Sequence, residues 1–149
     1  MRLVVQRVSQ AECKVENNIT GTIDTGYMIL VGLGRNDDCL IVEKMAEKVN
    51  KLRIFSDDND KINLSIHDVK GKILSISQFT LYADCAKGNR PSFTDALSGE
   101  EAISLYHYFN ECLRSYGLDV QEGIFGADMK VSLLNDGPVT IVLDSEDLW

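Results

Sequence analysis

Tyr27-Met28-Ile29-Leu30-Val31-Gly32-Leu33 carries no charged and no amide side chain at any position. A strand alternates its side chains between two faces, so this segment is apolar on both and calls for cover on both. The segments around it supply candidates for that cover. Residues 2–8 and 11–16 read as strands, and Asn17-Asn18 offers a turn into a third over 19–23. Asn36 to Arg53 is predicted as a helix, with Val42, Met45, Ala46, Val49 and Leu52 along one stripe. A short strand over 53–56, a polar turn over 57–60 and strands over 62–66 and 72–78 follow. Residues 84–98 lack any period and read as a long loop. Ser98-x-x-Glu101 has the form of a capping box for a second helix ending at Gly117, with Ile103, Tyr106, Phe109, Leu113 and Tyr116 as its stripe. Strands over 118–125, 129–134 and 138–143 complete the order. The expectation is a β-rich α/β chain in which sheets pack together and helices cover one side, as one domain over residues 1–149.

Bulk properties narrow the function classes. No apolar run is long enough to span a membrane. The four cysteines, Cys13, Cys39, Cys85 and Cys112, are scattered without a Cys-x-x-Cys pair, which fits reduced and mostly buried thiols in a cytoplasmic protein. The net charge of −8 argues against a general nucleic-acid coat, but leaves room for a local basic patch gripping one end of an RNA. Lys87-Gly88-Asn89-Arg90-Pro91-Ser92-Phe93 reads equally as a solvated loop or as such a patch, with Lys130 as a further member in the second case.

Three familiar chemistries fail on spacing. Gly32-Leu33-Gly34 lacks the third glycine of a dinucleotide loop, whose place is taken by Asp37, and reads as a strand-to-helix turn. Asp57 to Asp60 lacks the glycine and glutamate of a calcium loop. Nothing around His67 or His107 supports either as the base of a hydrolytic triad, and both read as structural or exposed. No metal and no cofactor is expected.

Two segments stand out. Ser77-Gln78-Phe79-Thr80-Leu81-Tyr82-Ala83 sets three polar side chains where a buried strand would tolerate them only with partners. In a regular strand Ser77 and Phe79 face one way and Gln78 and Thr80 the other. A break at the strand end would gather Ser77, Gln78 and Thr80 round exposed backbone N–H groups, as an oxyanion hole requires. In Asn135-Asp136-Gly137-Pro138-Val139-Thr140, Pro138 opens a run to Leu143 that otherwise reads as a buried strand, although proline donates nothing to a ladder. A tight turn explains it locally. So would a cis Gly137–Pro138 bond with a purpose, and Gly137 would let backbone carbonyls approach a ligand.

In this order and separation the two segments resemble the signature motifs of the D-aminoacyl-tRNA deacylases. Gln6-Arg7-Val8, Arg53-Ile54-Phe55-Ser56 and Arg90-Pro91-Ser92-Phe93 fit the same pattern, and the resemblance runs from Met1 to about Leu143. It implies a layered β/β/α fold, a cytoplasmic homodimer with active sites at the subunit interface, and hydrolysis of the ester joining a D-amino acid, or glycine mischarged on tRNA-Ala, to the terminal adenosine of tRNA. That is chiral proofreading in translation, by an ester hydrolase. The resemblance places Ser77, Gln78 and Thr80 round the scissile ester, and Phe79, Phe125 and Met129 at the pocket. It gives Arg7 the support of the Gly137-Pro138 loop, whose cis peptide enters the partner's site and excludes L side chains. Lys87 and Arg90 would contact tRNA. Two routes to water attack stay open: a Thr80 acyl-enzyme, or backbone N–H groups assisted by the 2′-hydroxyl of the RNA. Asp144 to Trp149 reads as a short acidic extension without a motif. A non-catalytic binder of RNA ends or a protein partner, and a thiol-containing regulatory domain, are the competing classes.

Overall fold

The computed structural model describes residues 1–149. Its strands are β1 (Arg2–Val15), β2 (Asn18–Ile23), β3 (Gly26–Gly32), β4 (Phe55–Ser56), β5 (Ile62–Leu64), β6 (Lys72–Ser77), β7 (Val120–Glu122) and β8 (Lys130–Asp144). The helices are α1 (Cys39–Lys51), α2 (Gly99–Ser115) and α3 (Ser145–Leu148), and a 3₁₀ turn occupies Phe79–Tyr82. The main sheet runs β2-β1-β3-β6-β7, with β8 on the free side of β1. Antiparallel β1–β3 pairing gives way to parallel β3–β6 and β6–β7 pairing.

The two strands read over 2–8 and 11–16 are one long strand. Its first half pairs with β3 and its second half with β2. Bending along β1 carries β2 back over β6 and β7, so the sheet nearly closes. Gly21 makes the approach possible, since a Cβ there would lie 2.9 Å from Leu74 Cδ1 and 3.2 Å from the Glu122 carbonyl oxygen.

The double-sided cover expected of residues 27–33 is present. Tyr27, Ile29 and Val31 join the larger core beneath α1 and α2, with Met45, Phe109 and Leu113. Met28 points the other way, into a smaller core of Val8, Ala11, Cys13, Ile23, Leu74 and Ile76 inside the curled sheet. The result is sheet on sheet with helices on one outer face, as expected. No helix is long and apolar enough to cross a membrane.

Several local expectations change. α1 begins at Cys39 because Asp38 caps it, its Oδ1 accepting from Ile41 N at 2.9 Å. Ser98 makes no side-chain cap bond: Gly99 enters α2 at φ +74° and turns the chain away from capping geometry. Asp38→Ala is therefore expected to cost about 1 kcal/mol, and Ser98→Ala only a few tenths, in urea unfolding. The buried apolar stripe of α2 is Ala102, Leu105, Tyr106, Phe109 and Leu113; Tyr106, Phe109 and Leu113 fall as expected, while Ile103 lies off the stripe and Tyr116 lies past the helix end, both exposed. Only Cys13 is fully buried; Cys39 and Cys85 are exposed at a helix start and in a loop. The run after Pro138 alternates instead of being buried throughout. Leu143 is buried but Val142 is 68 % exposed, because β8 pairs only with β1 and turns one face outward.

Residues 144–149 are no loose tail. Asp144 caps α3, accepting from Glu146 N at 3.1 Å, and Ser145 is buried. Ser145 N donates to the Met1 carbonyl at 2.9 Å, and the Met1 amino group donates to Ser145 Oγ at 2.6 Å and to Asp37 Oδ1 at 2.5 Å.

Candidate active site

Strand β6 ends at Ser77, and the ladder that held it ends with it. Gln78 N still donates to Val31 O at 2.7 Å, but Gln78 itself leaves strand geometry at φ −145°, ψ 79°. The chain then turns through Phe79–Tyr82, with Leu81 N bonded to Gln78 O at 3.2 Å and Ala83 N to Thr80 O at 3.0 Å. This is the break that the polar run foreshadowed. It needs room on β3, and the Gly32-Leu33-Gly34 segment provides it. A Cβ on Gly32 would meet Leu81 Cβ at 2.9 Å, and one on Gly34 would meet the Tyr82 ring at 2.7 Å. Those glycines thus serve the turn; their signal in the sequence was a glycine pair at alternate positions of an apolar strand.

In front of the turn lies a pocket of about 270 Å³. Ser77, Gln78 and Phe79 line it from one side, and Phe125 and Met129 from the loop between β7 and β8. Leu33, Ile76, Leu97 and Val131 make the rest of its wall mainly apolar. Five predicted site residues from distant parts of the chain are thereby brought together. Thr80 stands exposed beside them, its Oγ1 accepting a hydrogen bond from Gln78 Nε2 at 2.5 Å. Phe79 meets Phe93 edge-on with ring centroids 5.0 Å apart, which ties the 84–98 loop to the pocket rim. That loop is pinched at its base by Asp84 and Ser92, whose backbones exchange hydrogen bonds of 2.8 and 2.9 Å.

No histidine serves this pocket as a bonded base. His67 Nε2 bonds Asn50 Oδ1 at 2.7 Å, and His107 Nδ1 lies 3.3 Å from Glu122, which also pairs with Arg114 at 2.7 Å. Behind the pocket the Tyr106 hydroxyl donates to Ser75 O at 2.8 Å. Burial pushes the Tyr106 phenol up to about 12, so it stays a neutral donor.

Gly137 and Pro138 are not part of this chain's own pocket lining. Along β8, Asn135 pairs with Val8 and Thr140 with Gln6. Asp136, Gly137, Pro138 and Val139 therefore bulge out opposite Arg7 alone, and Pro138 owes the ladder no N–H. The 129–134 and 138–143 segments are thus one strand interrupted by a bulge. The Gly137–Pro138 bond is cis. Arg7 is only 8 % exposed; its Nε donates to Asp136 O at 2.8 Å and its Nη1 to Ile54 O at 2.8 Å. Asn135 closes the bulge, Oδ1 accepting from Val139 N at 3.0 Å and Nδ2 donating to Thr140 Oγ1 at 3.1 Å.

Lys87 and Arg90 lie at the exposed tip of the 84–98 loop. Lys130 is engaged elsewhere, its Nζ 3.0 Å from Asp128 Oδ2.

The turn thus sets a hydroxyl, an amide and the first backbone N–H groups of a helical turn beside one mainly apolar pocket, groups that could bind a polarised carbonyl. The comparisons with known proteins name the bond. Residues 4–144 match the family model for D-Tyr-tRNA(Tyr) deacylase. The D-aminoacyl-tRNA deacylase of Bifidobacterium adolescentis is 50 % identical over 157 aligned residues, covering 99 % of each chain. That of Clostridium botulinum is 53 % identical over 145, covering 97 % of each. The chain belongs to the D-aminoacyl-tRNA deacylase family, hydrolases of the ester bond of aminoacyl-tRNA. Among solved structures, a c-Myc DNA unwinding element binding protein superposes with a TM-score of 0.90 at 39 % identity, covering 97 % of this chain and 98 % of that one. A probable eukaryotic D-amino acid tRNA deacylase shares the fold, with a TM-score of 0.82 at 18 % identity over 95 % of this chain and 97 % of that one.

Proposed function

We propose that this chain hydrolyses the ester of D-aminoacyl-tRNA, and of glycyl-tRNA, at the pocket in front of the Ser77–Tyr82 segment. The observation that carries the reading is the convergence of Ser77, Gln78, Phe79, Phe125 and Met129 on one mainly apolar hollow beside Thr80. Backbone N–H groups at the start of the 3₁₀ turn stabilise the developing oxyanion, since the first amides of a helical turn have no acceptor within it. Water is the nucleophile, assisted by the 2′-hydroxyl of the terminal adenosine. The Thr80 hydroxyl accepts from an amide, which is a donor and no base, so nothing here activates it for attack. Thr80→Ala is expected to keep deacylation within about tenfold of the parent rate and to trap no acyl-enzyme, by rapid quench.

Chirality is read by the Gly137-Pro138 bulge of a second copy, acting in the compartment of translation. The bulge is exposed, braced by Arg7, and outside its own chain's pocket, so it is free to fill a partner's. β8 supports the pairing: Leu134 is 56 % exposed and Val142 68 %, apolar surface on its outward face that a second copy would cover. Backbone carbonyls of the bulge hold the substrate's amino group and leave no space for an L side chain. Glycine, lacking a side chain, passes. Lys87 and Arg90 meet the acceptor-end phosphates.

The deciding experiment follows ester loss from D-Tyr-tRNA and L-Tyr-tRNA in parallel. Rapid loss from the D form alone is expected; equal rates, or none on the D form, would sink the reading.

A further inference from the structure

We propose that Arg2 is a positioning residue for the ester-cleaving turn, which it holds from the side away from the pocket. The inference rests on the placement of the site at Ser77–Tyr82 given above. Arg2 Nη1 donates to the Leu81 carbonyl at 3.2 Å, and the guanidinium lies 4.5 Å above the Tyr82 ring. Both residues belong to the 3₁₀ turn that carries Phe79 and Thr80. Tyr82 is in turn seated against Gly34, so the turn is held between β3 and the Arg2 guanidinium.

What aims Arg2 is the end of β8. Its Nε donates to Asp144 Oδ2 at 2.5 Å, and Arg2 pairs with Asp144 in the β1–β8 ladder. Asp144 also caps α3, accepting from Glu146 N. A planar guanidinium can serve Asp144 with one edge, Leu81 O with another and the Tyr82 ring with its face, all in one conformation. Arg2 does not line the pocket, so its reach to the site runs through the turn. Its effect is on where the backbone of the turn stands. Misplacement of a catalytic group by about 1 Å can cost on the order of a hundredfold in rate.

The test compares Arg2→Met, Arg2→Lys, Ser145→Ala and Ala127→Trp on D-Tyr-tRNA, at a temperature well below every variant's Tm. Arg2→Met should lower kcat about tenfold or more and leave KM within about twofold, because the substrate contacts are intact. Arg2→Lys, whose single ammonium can reach Asp144 or Leu81 O but cannot serve both and the Tyr82 ring, should recover only part of that loss. Ser145→Ala weakens the neighbouring terminal contacts, and should lower Tm while kcat stays at the parent value. Arg2 would be merely structural if Arg2→Met kept the parent kcat, if its loss appeared in KM instead of kcat, or if Ser145→Ala were as slow as Arg2→Met. Ala127→Trp, which fills the pocket, separates the two readings. If it abolishes hydrolysis and Arg2→Met keeps the parent kcat, Arg2 alone is excluded. If Ala127→Trp keeps the parent rate, the placement of the site fails, and the role of Arg2 fails with it.

Discussion

Gly137→Ala is expected to slow hydrolysis of D-aminoacyl-tRNA by about a hundredfold or more, with only a modest fall in Tm. Gly137 sits at φ +135°, a backbone region that side chains rarely enter. Space is as short as conformation. A Cβ there would lie 2.9 Å from Arg7 Nη2, 2.9 Å from Val139 Cγ2 and 3.1 Å from Val139 N. None of the three can easily give way. Arg7 is pinned by two carbonyls, and Val139 N is held by Asn135 Oδ1. The bulge must therefore move, and with it the carbonyls proposed to read the substrate. Because the bulge is exposed and outside both cores, the strain should cost about 1–3 kcal/mol of stability and no more. Steady-state deacylation alongside thermal unfolding checks this. A variant as fast as the parent would remove the bulge from the mechanism.

Arg7→Met is expected to cost about 3 kcal/mol in urea unfolding and to lower activity as well. The side chain is buried, and its two hydrogen bonds satisfy carbonyls from separate parts of the chain, Ile54 and Asp136. Methionine fills much of the volume but donates nothing, so the Ile54 carbonyl would be left buried without a partner. Arg7→Lys should recover only part of the loss, since one ammonium cannot present the two edges of a guanidinium. If Arg7→Met were as stable as the parent, the bulge would be held by Asn135 alone.

Both predictions concern a feature that was half visible in the sequence. Pro138 next to Gly137 announced an irregularity at a strand, and the chain pattern marked Ser77–Ala83 as a site. The bulge itself was invisible, because it exists only relative to β1. Its boundaries are set by Gln6 pairing with Thr140 and Val8 with Asn135, contacts across most of the chain length. The stripe of α1 was legible from spacing alone. That of α2 was legible at Tyr106, Phe109 and Leu113, and missed at its start by one residue, because which of two adjacent apolar positions turns inward depends on the sheet beneath. The capping box at Ser98 matched in residue types and failed in geometry at Gly99. Arg2 carried no local signal, since its three partners lie in Leu81, Tyr82 and Asp144.

The pairing of β1 with β8 also bears on how the chain acquires its shape. Of the strands described, β1 is made before the others and β8 after them, and the two are neighbours over nearly their whole lengths. So large a share of distant contacts predicts slow folding relative to helical chains of this size. While β8 is still unmade, one edge of β1 has an unfilled row of backbone donors and acceptors. The nascent protein is thus most prone to wrong partners just before its final strand arrives, and that strand carries the bulge as well.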